Sequence, residues 1–160
     1  MPTGRIVSIH TTPEQGAPMA THASIEAIAG RGLAGDRYAA ATGTYSGRRL
    51  GDAERAITFI EQEALDAVRT EHGIELGGHE TRRNVVTLGI ALNELVGLTF
   101  RVGDAEFLGV DLAVPCAYLE SLTRPGVLRA LVDRGGVRAE IVSGGTIRVD
   151  DPVAVRPTTA

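Results

Sequence analysis

The sequence predicts a mainly β protein with short helices, arranged as a closed or nearly closed β-barrel with helical insertions. Three observations point there. Seven or eight short apolar runs are separated by glycine-bearing turns. The helix-like runs are few and do not alternate with strands in the β-α-β manner of parallel-sheet proteins. Finally, 20 glycines against three Phe, three Tyr and no Trp indicate many tight corners and few large ring anchors. At 160 residues, 43% hydrophobic and 22% charged, the chain reads as a single domain over residues 1–160 with its core from about Gly4 to Val155, long enough to bury about two thirds of its unfolded surface.

The elements follow in order. Gly4 to His10 is strand-like around Ile6 and Val7, and Thr11 to Pro18 is a loop bearing Pro and Gly. Ser24 to Ala29 reads as a strand ending at Gly30, and Arg31 to Asp52, glycine-rich and aperiodic, as a long ordered loop that suggests a functional surface. Ala56 to Ile60 is strand-like. Glu61 to His72 is the clearest helix, with Ala64, Leu65 and Val68 on one face and Gly73 as its stop. Asn84 to Leu88 reads as a buried strand and Ala91 to Val96 as a short helix closed by Gly97. Leu98 to Val102 and Ala105 to Val110 flank Gly103-Asp104, a two-residue hairpin signal. Helix-like Ala117 to Leu122 and Gly126 to Asp133, the latter after Pro125, come next. Val137 to Val142, Gly144-Gly145 and Thr146 to Val149 read as a second hairpin, Val153 to Val155 as a last strand, and Pro157 to Ala160 as a frayed end.

The formal net charge of −4 opposes general nucleic-acid binding, which needs a cationic face. All 16 basic side chains are Arg, a planar fork suited to gripping phosphate or carboxylate wherever a few cluster. Met1 to Ser8 has no continuous apolar segment and the longest apolar stretches are strand-sized. Neither a signal peptide nor a membrane-spanning helix is expected, and a cytoplasmic location is.

The single cysteine, Cys116, sits in Val114-Pro115-Cys116-Ala117, where a strand-like run gives way to a helix-like one. A helix start offers amide N–H groups that stabilise a thiolate, the form that attacks or ligates; an inert buried thiol is the alternative. Asp111 and Glu120 nearby would raise a thiol pKa, so activation must come from elsewhere. Thr81-Arg82-Arg83-Asn84 precedes a buried strand; extended, it would put Arg82 and Asn84 on one side, a fork plus a donor suited to phosphate, with Arg83 facing away. A solvated strand edge is the alternative there. Gly30-Arg31-Gly32-Leu33-Ala34-Gly35 matches G-x-G-x-x-G, with Asp52 and Glu54 near the spacing of a ribose-binding acid. Thr42-Gly43-Thr44 and Tyr45-Ser46-Gly47 downstream are incompatible with the amphipathic helix a dinucleotide site requires, so a Rossmann reading is disfavoured. Asp36-Arg37 reads as an ion pair fixing the loop, worth about 0–1 kcal/mol at a surface. His10, His22, His72 and His79 form no metal-binding spacing; His10 or His22 would be the base of a Cys-His hydrolase, were Cys116 of that kind.

Taken together, Gly32 to Tyr38, Arg83 to Gly89, Leu98 to Gly103, Pro115-Cys116, and Gly135 to Ala139 with Gly144 to Pro152 resemble the MOSC domain family, named for the C-terminal domain of molybdenum cofactor sulfurases. The resemblance runs from about Gly4 to Val155. It implies a β-barrel of the pyruvate-kinase insert type, a cysteine near a barrel opening, and business with the pterin-based molybdenum cofactor (molybdopterin). Members are thought to carry sulfur destined for metal centres or, in the amidoxime-reducing branch, hold molybdenum and reduce N-hydroxylated compounds. By motif match the metal-ligating or sulfur-bearing cysteine is Cys116, the phosphate grips are Arg82 and Asn84, and Gly35, Asp36 and Arg37 belong to the loop shaping the mouth. Soft thiolate suits high-valent molybdenum or a persulfide. Where some relatives carry another cysteine this chain has Leu112 and Ala113, so dithiol chemistry is not expected. Without an aminotransferase-like domain or a ferredoxin-like tail in this sequence, a sulfur-donor or electron-donor protein is the expected partner. Pyridoxal phosphate is not expected, because a Schiff base needs a lysine and there is none. The alternative is a non-enzymatic module that carries cofactor or sulfane sulfur to a partner.

Overall fold

The computed structural model describes residues 3–14, 16–37, 39 and 56–155. Its strands are β1 (Thr3–Thr11), β2 (Ala20–His22), β3 (Ser24–Ile28), β4 (Gly32–Leu33), β5 (Ile57–Glu61), β6 (Val85–Leu88), β7 (Thr99–Val102), β8 (Ala105–Leu112), β9 (Val137–Ser143), β10 (Gly145–Arg148) and β11 (Pro152–Val155). Three helices, α1 (Gln62–His72), α2 (Ala117–Leu122) and α3 (Val127–Ala130), and 3-10 turns at Gly78–Thr81 and Leu92–Leu95 are inserted between them.

Seven strands close on themselves in the order β11-β7-β8-β9-β5-β6-β1, with β1 pairing back onto β11 and β2 extending the far end of β1. Closure leaves these strands without bare edges. All contacts around the ring are antiparallel except β5 with β6, which lie parallel and are joined through α1, as a parallel pair requires a crossover. β3, β4 and β10 form a separate small sheet. The expected closed barrel with short helices is what the chain builds.

Alternation along the strands divides two apolar regions. Ile57 and Phe59 of β5 face the barrel interior while Ile60 faces out, and Val85 and Val86 of β6 divide the same way. Inside, Phe59, Phe100 and Phe107 are fully buried and mutually packed, with centroids 5.4 to 5.6 Å apart. Outside, α1, α2 and α3 lay Ala64, Leu65, Val68, Leu119, Val127 and Ala130 against Ile60 and Val86. α1 ends where expected, at Gly73 with φ 66°, whose N–H reaches the Arg69 carbonyl at 3.0 Å. The Gly103-Asp104 hairpin also forms, with Val102 opposite Ala105.

Four expectations are corrected. Val137 to Val149 is not a hairpin: after β9 the chain changes sheet and β10 pairs with β3, Ile147 opposite Ile25, a partner too distant in sequence for turn residues to reveal. Residues 91–96 hold only a 3-10 turn, and only Val127–Ala130 of the segment after Pro125 is helical. The loop from Arg31 contains β4, paired with β3. Of that loop, Tyr38 and residues 40–52, with the Thr42 to Gly47 motifs and Asp52, lie outside the described residues, as do Glu54 and Pro157 to Ala160.

Candidate functional site

Cys116 occupies the junction foreseen for it. β8 ends at Leu112, and Cys116 caps α2 with extended backbone, φ −140° and ψ 167°; its carbonyl accepts the Glu120 N–H at 3.2 Å and its side chain makes no capping bond. The residue is half-buried and packs against the outer apolar cluster. α2 has six residues, so its help to a thiolate is confined to first-turn amides. Glu120 Oε1 accepts N–H bonds from Gly126 at 3.0 Å and Leu128 at 3.1 Å at the start of α3.

The segment before β6 is not extended. Arg82 closes the 3-10 turn in the left-handed conformation, φ 65° and ψ 12°, which costs about 1–2 kcal/mol for a residue with a Cβ. The strand starts only at Val85, so the alternation that put Arg82 and Asn84 on one side does not apply. The Arg82 guanidinium donates to the Ala17 carbonyl, and its own carbonyl accepts from Arg37 Nη2 at 3.3 Å. Asn84 is buried: Oδ1 accepts from Thr58 N at 3.0 Å and Thr58 Oγ1 at 3.3 Å, and Nδ2 donates to the His10 carbonyl at 3.1 Å. Its amide thus ties β5 to β1.

Arg83, expected to face away, is the residue that reaches the cysteine's loop. Buried, it donates from Nε to the Gly135 carbonyl at 2.8 Å and from Nη2 to the Ala113 carbonyl at 2.9 Å. Charge-assisted bonds of this kind are about twice as strong as neutral ones. They tie together two segments that only glycine allows to meet, since a Cβ on Gly135 would stand 2.4 Å from the Ala113 carbonyl oxygen.

Asp36 and Arg37 are an ion pair, Arg37 Nη1 to Asp36 Oδ1 at 3.3 Å, but not a surface one: their side chains are 0% and 6% exposed. Asp36 Oδ1 also accepts the Thr12 N–H at 3.1 Å. Gly35, with φ 80°, is exposed at the turn just before them. A connected seam results: Asp36 bonds Arg37, Arg37 bonds the Arg82 backbone, and Arg83 holds Ala113, three residues before Cys116. His10 and His22, the possible bases, bond hydroxyls: His10 to Ser8 at 2.8 Å and Thr21 at 3.3 Å, His22 to Thr11 at 2.7 Å.

Arg82 also lines a cavity of about 240 Å³ with Gly16, Pro18, Met19, His79, Glu80 and Leu122. Leu122 lies six residues beyond Cys116 on α2, about 9 Å along its axis. Sequence reasoning missed Arg83 and His79. The signal for Arg83 was the adjacent pair of arginines ahead of a strand that had to be buried; for His79 there was none beyond its closeness to Arg82. Among the described residues no three His, Cys, Asp or Glu side chains gather to hold a metal ion, and no helix is long and apolar enough to cross a membrane.

The family model for the MOSC domain matches residues 46–154. No curated protein matches the sequence. Among solved structures, the YuaD protein from Bacillus subtilis superposes with a TM-score of 0.82 at 14% identity, covering 98% of this chain and 97% of its own. YiiM from Geobacillus stearothermophilus gives 0.71 at 15%, covering 96% and 75%, and YiiM from Escherichia coli 0.66 at 17%, covering 98% and 71%. At such identities the likeness is one of fold.

Proposed function

The chain belongs to the MOSC domain family, and on that premise we propose that it binds the pterin-based molybdenum cofactor, with Cys116 as the metal's protein ligand and Arg82 as the cation facing the cofactor phosphate. The observation that carries this reading is the bracing of the cysteine's loop by Arg83 through the Ala113 and Gly135 carbonyls. A loop whose thiol only fills space needs no buried guanidinium to brace it, because burying that charge is costly.

The donor set fits such a group. Sulfur is a suitable ligand for high-valent molybdenum, and Cys116 would be the residue of this chain to supply it. When bound, the cofactor supplies redox chemistry for the reduction of N-hydroxylated compounds, with electrons from a donor protein. The chain's own residues have separate tasks. Cys116 presents sulfur at the start of α2, Arg82 holds an anion, Gly35 shapes the mouth, Asp36-Arg37 fixes the loop behind it, and Asn84 secures the strand ends from within.

A second reading is a carrier that takes sulfane sulfur on Cys116 and passes it to a partner; the half-buried seat of the thiol against apolar side chains favours it, because a persulfide there is sheltered from water and oxidants. Protein purified from a molybdenum-replete host, assayed anaerobically with reductant and N-hydroxylated compounds and weighed intact, separates the two. Molybdenum with turnover supports the first; added sulfur mass on Cys116 without metal supports the second; neither result overturns both. Arg82→Ala is expected to weaken cofactor retention by about 1.5–3 kcal/mol, and unchanged occupancy removes Arg82 from the site.

A further inference from the structure

Two strongly exposed apolar side chains meet beside the loop of Cys116. Val114, 68% exposed, and Val132, 52% exposed, are the most exposed large hydrophobic residues among those described, and both line one cavity of about 180 Å³. Exposed apolar residues scattered singly need no explanation; these two share a concavity. Leu112 and Pro115 of the same loop and Leu128 just after the start of α3 continue its apolar wall. Gly135 and Gly136 complete it with bare backbone, since neither position has room for a side chain: Gly135 is pressed against the Ala113 carbonyl and Gly136 against that of Phe59. Arg83 holds the Ala113 and Gly135 carbonyls, so the wall is in place before a ligand arrives. Such a wall spares the ligand the cost of ordering it.

One charged side chain stands among the described residues that line this cavity, and it is Asp133. Asp133 is exposed, its backbone lies in the left-handed region at φ 65°, and its carbonyl accepts from Asn93 Nδ2 at 2.9 Å. The cavity therefore combines an apolar wall with a single negative charge. An apolar cavity of about 150 Å³ takes one benzene ring, and a carboxylate beside it favours a ligand of positive charge. An anion would be opposed both by Asp133 and by the chain's net charge of −4.

We propose that this cavity is a binding site for a small organic cation, an ammonium group on a compact apolar body of one ring or a short branched alkyl chain. The body sits among Leu112, Val114, Pro115, Leu128 and Val132, and the cation faces Asp133. The ligand then lies against the loop that carries Cys116, Pro115 being the residue before it. The site makes no use of the cofactor and stands whether or not molybdenum binds.

Benzylamine, cationic at neutral pH, and benzyl alcohol, its uncharged counterpart, are the probes, titrated into the isotope-labelled chain and followed by amide chemical shifts. Both are expected to saturate in about the millimolar range, as suits ligands of so few atoms. The shifts should centre on Leu128, Val132, Gly135 and Gly136, and benzylamine should bind about threefold tighter than the alcohol, as for one exposed ion pair. Asp133→Asn, which keeps a residue tolerant of the left-handed backbone, is expected to remove that preference and leave the alcohol's affinity unchanged. Val114→Gln combined with Val132→Gln, both at exposed positions, should weaken the two probes about fivefold through lost apolar contact. The proposal is overturned by any of three results: no saturable binding to the native chain; a preference for benzylamine that is absent or survives Asp133→Asn; or undiminished binding in the double variant at an unchanged melting temperature. Each result is read on protein without metal, so failure of the cation site and failure of cofactor binding are told apart.

Discussion

The barrel interior and the polar seam outside it hold neighbouring strands by opposite means. Inside, Phe59, Phe100 and Phe107 pack edge and face among aliphatic side chains, an attraction without direction that depends on area and fit. Along the seam, Asp36, Arg37, Arg83 and Asn84 are as thoroughly buried, yet each is fixed by directed bonds to main-chain groups of other segments. Replacing a whole buried polar set by packed apolar residues is often neutral or stabilising, whereas removing one partner alone strands the groups it held. The difference teaches that the interior supplies stability and the seam supplies position, and that the loop of Cys116 belongs to the second.

That division can be broken experimentally. The largest effect is expected inside: Phe59→Ala should lose about 3–5 kcal/mol in denaturant unfolding, and a loss under about 1 kcal/mol would mean that the interior does not carry the fold. Next comes Arg83→Met, which keeps the bulk but strands the Ala113 and Gly135 carbonyls. Its cost should be about 2–3 kcal/mol, accompanied by faster labelling of Cys116 by a thiol reagent well below the unfolding transition. Destabilisation with unchanged labelling would make Arg83 a stability residue like the phenylalanines and erase the distinction.

The smallest effect sharpens the boundary between the two regions, where β1 turns His10 outward. Its pKa falls from 6.5 to about 4 on folding, so between those values the unfolded chain binds a proton that the folded chain refuses. Stability contributed by the neutral ring is therefore complete above pH 6.5 and is lost as pH falls towards 4, by on the order of 1–2 kcal/mol once solvent screening is allowed for. His10→Asn should flatten that part of the pH–stability curve; an identical curve would place the acid sensitivity elsewhere.

Local signals foretold local structure. The period of Ala64, Leu65 and Val68 with Gly73 behind it gave α1, and Gly103-Asp104 gave the hairpin of β7 and β8, because in each the bonding partners lie within a few residues. The pairing of β10 with β3 and the left-handed turn at Arg82 were not legible, since both depend on segments far away in the chain: β3 in one case, the Ala17 and Arg37 contacts in the other. For the site, the junction at Pro115-Cys116 was readable from the change of pattern on either side. The roles within Arg82-Arg83-Asn84 were not, because faces alternate only within a strand and these three residues precede it. A single φ above zero at Arg82 reassigns which guanidinium braces the cysteine's loop and which one lines a cavity.

The central claim is that Cys116 is the group on which the seam's positioning is spent. The most direct test is the molybdenum content of native and Cys116→Ser chains expressed side by side in a molybdenum-replete host, with both shown to melt alike. The account predicts close to one molybdenum per native chain and almost none in the variant. Equal metal in the two would contradict it.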